Sequence, residues 1–260
     1  MADFINARRG RNALSAATHV ALNLILAAAS TALTLISGSW ILGVILVLLS
    51  KWRVVAVRPR YWWLNIKSSL VDLIVGMSLV LLVYYAGAEL NVGHIILTII
   101  YALWLVAIKP RSSEMMTEIQ SLFAVFFGTA AATFAVAKFD PLILVIASFV
   151  IGYGAIRHVL IQGEDRDFSL VTFVSGLLMA EISWVLYHWM IVYSLDAVNL
   201  VVPQLAIVQT LLAFVSFKGY KSVLRHDGKM RVADVVMPIL FSVAVMVVMV
   251  LFFSKPIFNV

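Results

Sequence analysis

The chain has 260 residues, 63% of them hydrophobic and only 12% charged, with a formal net charge of +6 and no cysteine. Soluble domains carry about 25% charged residues, so this composition excludes a water-soluble fold, and no polar stretch is long enough to enclose a second, soluble domain. Without Cys there are no disulfides, thiolate metal sites or Cys nucleophile; on a membrane protein, surplus Lys and Arg mark loops retained in the cytoplasm, so no nucleic-acid partner is expected.

The first elements follow from length. Arg8, Arg9 and Arg11 precede an apolar run over residues 13–50 that contains His19 and the triplet Ser37-Gly38-Ser39. One helix of that length would measure about 57 Å, nearly twice the hydrocarbon thickness. Two spans, 13–36 and 39–57, joined at the triplet, fit better. The second is long enough only if Lys51 and Arg53 snorkel to the headgroups, and Arg58-Pro59 should end it. A rival reading makes the N-terminus a signal peptide cleaved before Ser30, after Ala27-Ala28-Ala29; Asn23 and the unbroken apolar continuation argue against it.

Residues 58–67 form an interfacial basic and aromatic segment, with Arg58, Arg60, Tyr61, Trp62, Trp63 and Lys67 suited to the headgroup level. Further spans are expected at 69–87 and at 92–108, the latter closed by Lys109-Pro110-Arg111. The fifth is placed at 118–137. Asp140 as N-cap and Pro141 at the first helical position start the sixth, 141–160. The last three are read at 168–193, 200–217 and 235–253. The fold class is therefore all-α: a polytopic membrane bundle of about nine helices in a single transmembrane domain.

Charge sets the orientation. With the N-terminus cytoplasmic and the C-terminus outside, all nineteen Lys and Arg residues except Lys138 and Lys255 fall on the inner side. Merging any hairpin into one helix would carry basic loops to the wrong face. The plasma membrane is the expected location. A slight likeness between 69–109 and 169–218, each opening Ser-Leu-Val and ending on lysine, is too thin to establish a repeat.

Ionisable groups inside a bilayer are costly and invite functional readings. Several sit at helix starts, where capping accounts for them: Ser69 with Asp72 and Thr117 with Gln120 have capping-box spacing, and Asp167 and Asp234 can cap the seventh and ninth helices, which puts Pro238 in a first turn. Glu181 is different. It falls near mid-membrane, with Trp184 and His188 on the same helical face, and that face is expected to point into the bundle. Glu181 then serves either as interhelical glue or, with His188, His19 and Asn23, as a polar path for protons or cations. Gln204 and Gln209 are further candidates. Ala124, Gly128 and Ala132, like Ser148 and Gly152, recur at the four-residue spacing of close helix packing. Gly152-Tyr153-Gly154 is read as packing too, not as a phosphate loop.

The strip supports two readings: retention signal with an aromatic belt, or a cleft in which Arg53, Arg58, Arg60 and Trp62 bind anionic lipid headgroups on the cytoplasmic side. Glu164, Asp165 and Asp167 are a weak Mg²⁺ candidate and a better solvated turn; no metal site or cofactor is assigned. No His-Glu-x-x-His, Gly-x-Ser-x-Gly or P-loop motif occurs. Three functions remain open at this level: a small transporter, channel or transport-complex subunit built on the Glu181 and His188 path; an enzyme acting on lipid-linked phosphate; and a non-catalytic scaffold that pairs with partner helices.

Overall fold

The computed structural model describes residues 2–136, 140–161, 168–226 and 228–253. The protein is 83% helical, and the described residues include one two-stranded sheet. The helices are α1 (Ala2–Ser37), α2 (Trp40–Ser50), α3 (Trp52–Val55), α4 (Trp62–Ser68), α5 (Leu70–Tyr85), α6 (Val92–Leu103), α7 (Glu114–Val136), α8 (Pro141–Leu160), α9 (Phe168–Tyr187), α10 (Gln204–Arg225) and α11 (Val232–Phe253). Strands β1 (Val192–Leu195) and β2 (Leu200–Pro203) pair antiparallel between α9 and α10, with Tyr193 opposite Val202.

Five helical stretches are long and apolar enough to cross a membrane: Ser15–Ser37, Glu114–Ala135, Pro141–Leu160, Ser169–Tyr187 and Val232–Leu251. A sixth is added if Pro59–Ser68 and Leu70–Tyr85, bent by 67° at their junction, count as one span. Large apolar side chains cover the outside, among them Ile25, Leu178, Met237 and Leu251. In water such a surface would aggregate; in lipid it is the solvated state, as an integral membrane protein requires.

Local chemistry explains several joints. Gly38 takes the left-handed conformation (φ +59°) between α1 and α2, and the Ser39 side chain accepts from the Ile41 N–H at 3.3 Å to cap α2. Asp140 accepts from the Leu142 N–H at 2.7 Å, with Pro141 at the first helical position. The small residues pack helices closely. A Cβ on Gly152 would lie 2.7 Å from Met179 of α9, and one on Gly43 would lie 2.4 Å from the Thr34 hydroxyl and 2.6 Å from Val80. The hydrophobic core runs between α5, α6, α7, α8 and α10 around Val75, Leu79, Leu105, Val125 and Ala155.

Four sequence-based expectations are corrected. The second helix does not run on to residue 57: α2 is 11 residues long and leaves helical geometry at Lys51, whose side chain turns inward to Asp72 instead of snorkelling outward. The seventh helix ends at Tyr187 rather than 193, since 192–203 closes as an antiparallel hairpin with Val192, Tyr193, Val201 and Val202 in its strands. The helix-start pairs do not form capping boxes. Ser69 makes no side-chain cap bond, and α7 begins at Glu114, which puts Thr117 and Gln120 inside it. Pro238 likewise lies within α11, beyond its first turn.

Candidate functional site

At one end of the bundle the helix termini are tied together by ions. Lys51, just after α2, and Lys109, just after α6, both bind Asp72 in the first turn of α5, the Lys109 ammonium at 2.8 Å. The indole N–H of Trp104 donates to the other oxygen of Asp72 at 3.1 Å. Trp104 and Lys109 would sit about 140° apart on an α-helix, but Trp104–Ile108 is a turn of π-helix in which the Lys109 N–H reaches the Trp104 carbonyl at 2.9 Å. The five-residue repeat of that turn brings both side chains to one carboxylate.

A second node joins α7 to α10. Glu118 takes Lys218 at 3.0 Å and also Lys221, while Lys221 reaches Glu114 at 2.8 Å. Burial works to lower the Lys221 ammonium, but hydrogen bonds and charge from Glu114 and Glu118 outweigh it and hold the group above its ordinary value. Gln120 donates to the carbonyls of Ile108 at 2.8 Å and Arg111 at 2.7 Å and accepts from His158 Nε2–H of α8 at 2.7 Å. Ser222 donates to Asp234 at 2.7 Å, fastening α10 to the start of α11. Together these bonds bring the ends of α2, α6, α8 and α10 and the starts of α5, α7 and α11 to the same end of the molecule.

The basic strip borders this end. Arg53, Arg58 and Arg60 are exposed, as are Trp52, Tyr61, Trp62, Trp63 and Leu64. The Arg60 guanidinium lies 4.6 Å above the Tyr61 ring and the Lys67 ammonium 4.6 Å above Trp63. Trp62 donates its indole N–H to the Val57 carbonyl at 2.9 Å.

The middle of the bundle holds a neutral network that the sequence singled out through Gln209 and, as a packing position, Ser148. This side chain is fully buried. Its carbonyl accepts from Thr129 at 2.7 Å, and its amide donates to the Met179 carbonyl at 2.9 Å and to Ser183 at 2.6 Å; Ser183 donates to Ser148 at 2.6 Å. Four helices, α7 to α10, meet there with the polar groups matched, an arrangement suited to holding helices together rather than to passing ions. Serine and threonine are common in membrane helices, so Thr129, Ser148 and Ser183 gave no signal beyond the Ser148 and Gly152 spacing.

The proposed polar path does not assemble inside the chain. Glu181, Trp184 and His188 are exposed on the outward face of α9, which overturns the expectation that this face points into the bundle: the buried stripe is Thr172, Gly176, Met179, Ala180 and Ser183, and it faces α8 and α10. His188 donates to the Trp184 carbonyl at 2.9 Å and so closes the C-terminal end of α9. His19 is exposed on α1, and Asn23 donates to the Leu105 carbonyl at 3.4 Å. α1 packs on α2, α5 and α6, away from α9.

At the opposite end, Asn91 and His94 form the capping box of α6. His94 Nδ1 accepts from the Asn91 N–H at 3.1 Å, and Nε2 donates to the Gly87 carbonyl at 3.2 Å, so both ring nitrogens are engaged. Among the described residues no group of three His, Cys, Asp or Glu is gathered as metal ligands; the acidic loop 163–167 lies outside them. Comparison with family models, curated proteins and solved structures finds no match.

Proposed function

We propose that this protein is a subunit of a plasma-membrane complex, of the transport class, that pairs with a partner transmembrane helix along the outward face of α9. The observation that carries this reading is Glu181. It stands exposed in the midst of Leu170, Val174, Leu177, Leu178 and Val185, all exposed and apolar. A carboxyl facing lipid at that depth costs about 2.5–3.5 kcal/mol on the gentlest scale, a cost that a hydrogen-bonding group on a neighbouring helix relieves. Any polar route involving Glu181 and His188 then runs between chains, since the network where α7 to α10 meet is neutral and hydrogen-bonded and the helix ends at the basic end are tied by ion pairs. The chain crosses the membrane about nine times, N-terminus inside and C-terminus outside; the ion pairs that hold the basic helix ends together support this alternation.

The test is purification in nanodiscs with partner capture by photo-crosslinking from position 177. Glu181→Leu is expected to abolish the crosslinked complex and leave the folded chain intact. A wild-type chain that remains monomeric, or an undiminished complex in Glu181→Leu, would refute the reading.

A second reading, the binding of anionic headgroups, is favoured by the exposed guanidiniums of Arg53, Arg58 and Arg60 beside four exposed rings. Native mass spectrometry should then show anionic lipid retained by the wild type and lost from Arg58→Ala/Arg60→Ala. Release of phosphate from a polyprenyl phosphate would extend this reading to an enzyme.

A further inference from the structure

Below the β-hairpin, at the end remote from the ion pairs, lies a cavity of about 340 Å³. Its walls come from α5, α6 and α7, through residues such as Leu82, Leu97, Phe127 and Ala130, and its roof from Leu195 and Val202 of the hairpin. We infer that this cavity holds one hydrocarbon chain of a membrane lipid.

Four observations lead there. Among the described residues the lining contains no charged side chain, and Tyr85 and Asn199 are its only hydrogen-bonding ones. Water needs two to four polar partners to stay in a buried space, and with most of its wall apolar this one favours an apolar occupant. Helical interiors pack at the density of organic crystals, and a largely apolar space more than twice the size of the roughly 150 Å³ cavity known to take up benzene has room for a substantial apolar guest. Next to the lining residues Leu97 and Ile100, the same helix exposes Ile95, Ile99 and Leu103 to the surroundings, so bilayer chains lie against α6 itself. Finally, a partner helix of about 10–12 Å diameter is too thick for the space, whereas a flexible single chain follows its contour. The occupant is recognised by its tail, because no described lining residue carries a charge to pair with that of a headgroup. A phospholipid acyl chain and a linear polyprenyl chain share that chemistry.

The full chain, reconstituted in phosphatidylcholine nanodiscs, is labelled in two arms with trace photoactivatable probes: a phospholipid bearing a diazirine in its acyl chain, and a polyprenyl phosphate bearing one in its tail. Labelled peptides are then mapped by mass spectrometry. At least one arm is expected to label Phe127, Phe134 or Leu200 in the wild type, and the stronger arm identifies the source. Ala130→Trp, which fills the space, should lose this label several-fold while Leu103, on the outer face of α6, stays labelled as before. If Ala130→Trp does not fold, Ala86→Trp fills the space from another wall. Labelling confined to Ile95, Ile99 and Leu103 in both arms, or cavity labelling undiminished in the folded Trp variant, would overturn the inference.

Discussion

Replacing Asp72 with Asn is the sharpest probe of the ionic node at the basic end. The amide keeps the shape and an acceptor for the Trp104 indole, but leaves two ammoniums without a counter-charge. Their surroundings differ. The Lys51 side chain is 13% exposed and that of Lys109 39%. Lys109 can be hydrated where it stands, so its share is that of a surface pair, about 0–1 kcal/mol. Lys51 is held inside, and leaving one member of a buried pair unmatched costs about 3–5 kcal/mol. Taking the lower part of that range for a site near the headgroups gives about 3 kcal/mol. In a chain of this size that is a fall of about 6–12 °C in apparent Tm, read by fluorescence-detected melting in one detergent at one scan rate. The node also predicts a sign. Asp72→Leu combined with Lys51→Met removes both buried charges and should lose less than Asp72→Asn alone, because an apolar pair of similar volume needs no counter-ion. A melt of Asp72→Asn within about 2 °C of wild type, or a double variant less stable than the single one, would refute the account.

Other substitutions test the packing. Gln209→Leu takes the acceptor from the Thr129 hydroxyl and the donor from Ser183 and the Met179 carbonyl, and should cost about 1–3 kcal/mol in a chemical unfolding titration. Gly43→Ala puts a methyl 2.4 Å from the Thr34 hydroxyl and 2.6 Å from Val80; α1, α2 and α5 must move apart, and a loss of about 1–3 kcal/mol is expected in the same assay. Asp140→Ala removes the cap of α8 and should lower stability by about 0.5–2 kcal/mol, with faster hydrogen exchange confined to the first turn of that helix.

The all-helical membrane class was legible from composition, and so were the joints at Gly38 and Asp140-Pro141, because backbone chemistry there is local: a left-handed turn takes glycine, and a helix start takes a side-chain acceptor and a fixed φ. The two strands of the hairpin at 192–203 were hidden for a related reason, since short apolar stretches on either side of a turn read equally well as the ends of two helices.

The candidate sites divide in the same way. By itself the sequence determined that Glu181, Trp184 and His188 share one face of a helix, because helical periodicity depends on spacing alone. It had no means of deciding whether that face looks inward or outward, since lipid and protein interior are equally apolar and a membrane helix carries little amphipathic contrast to mark its buried side. Asp72 sat where local spacing suggests a cap, and Glu118 only opened the expected fifth span. Only the tertiary structure brought Lys51, Lys109, Lys218 and Lys221 to them from distant helices, by ion pairs that local spacing cannot foretell and, at Lys109, by a π-turn that resets the helical register.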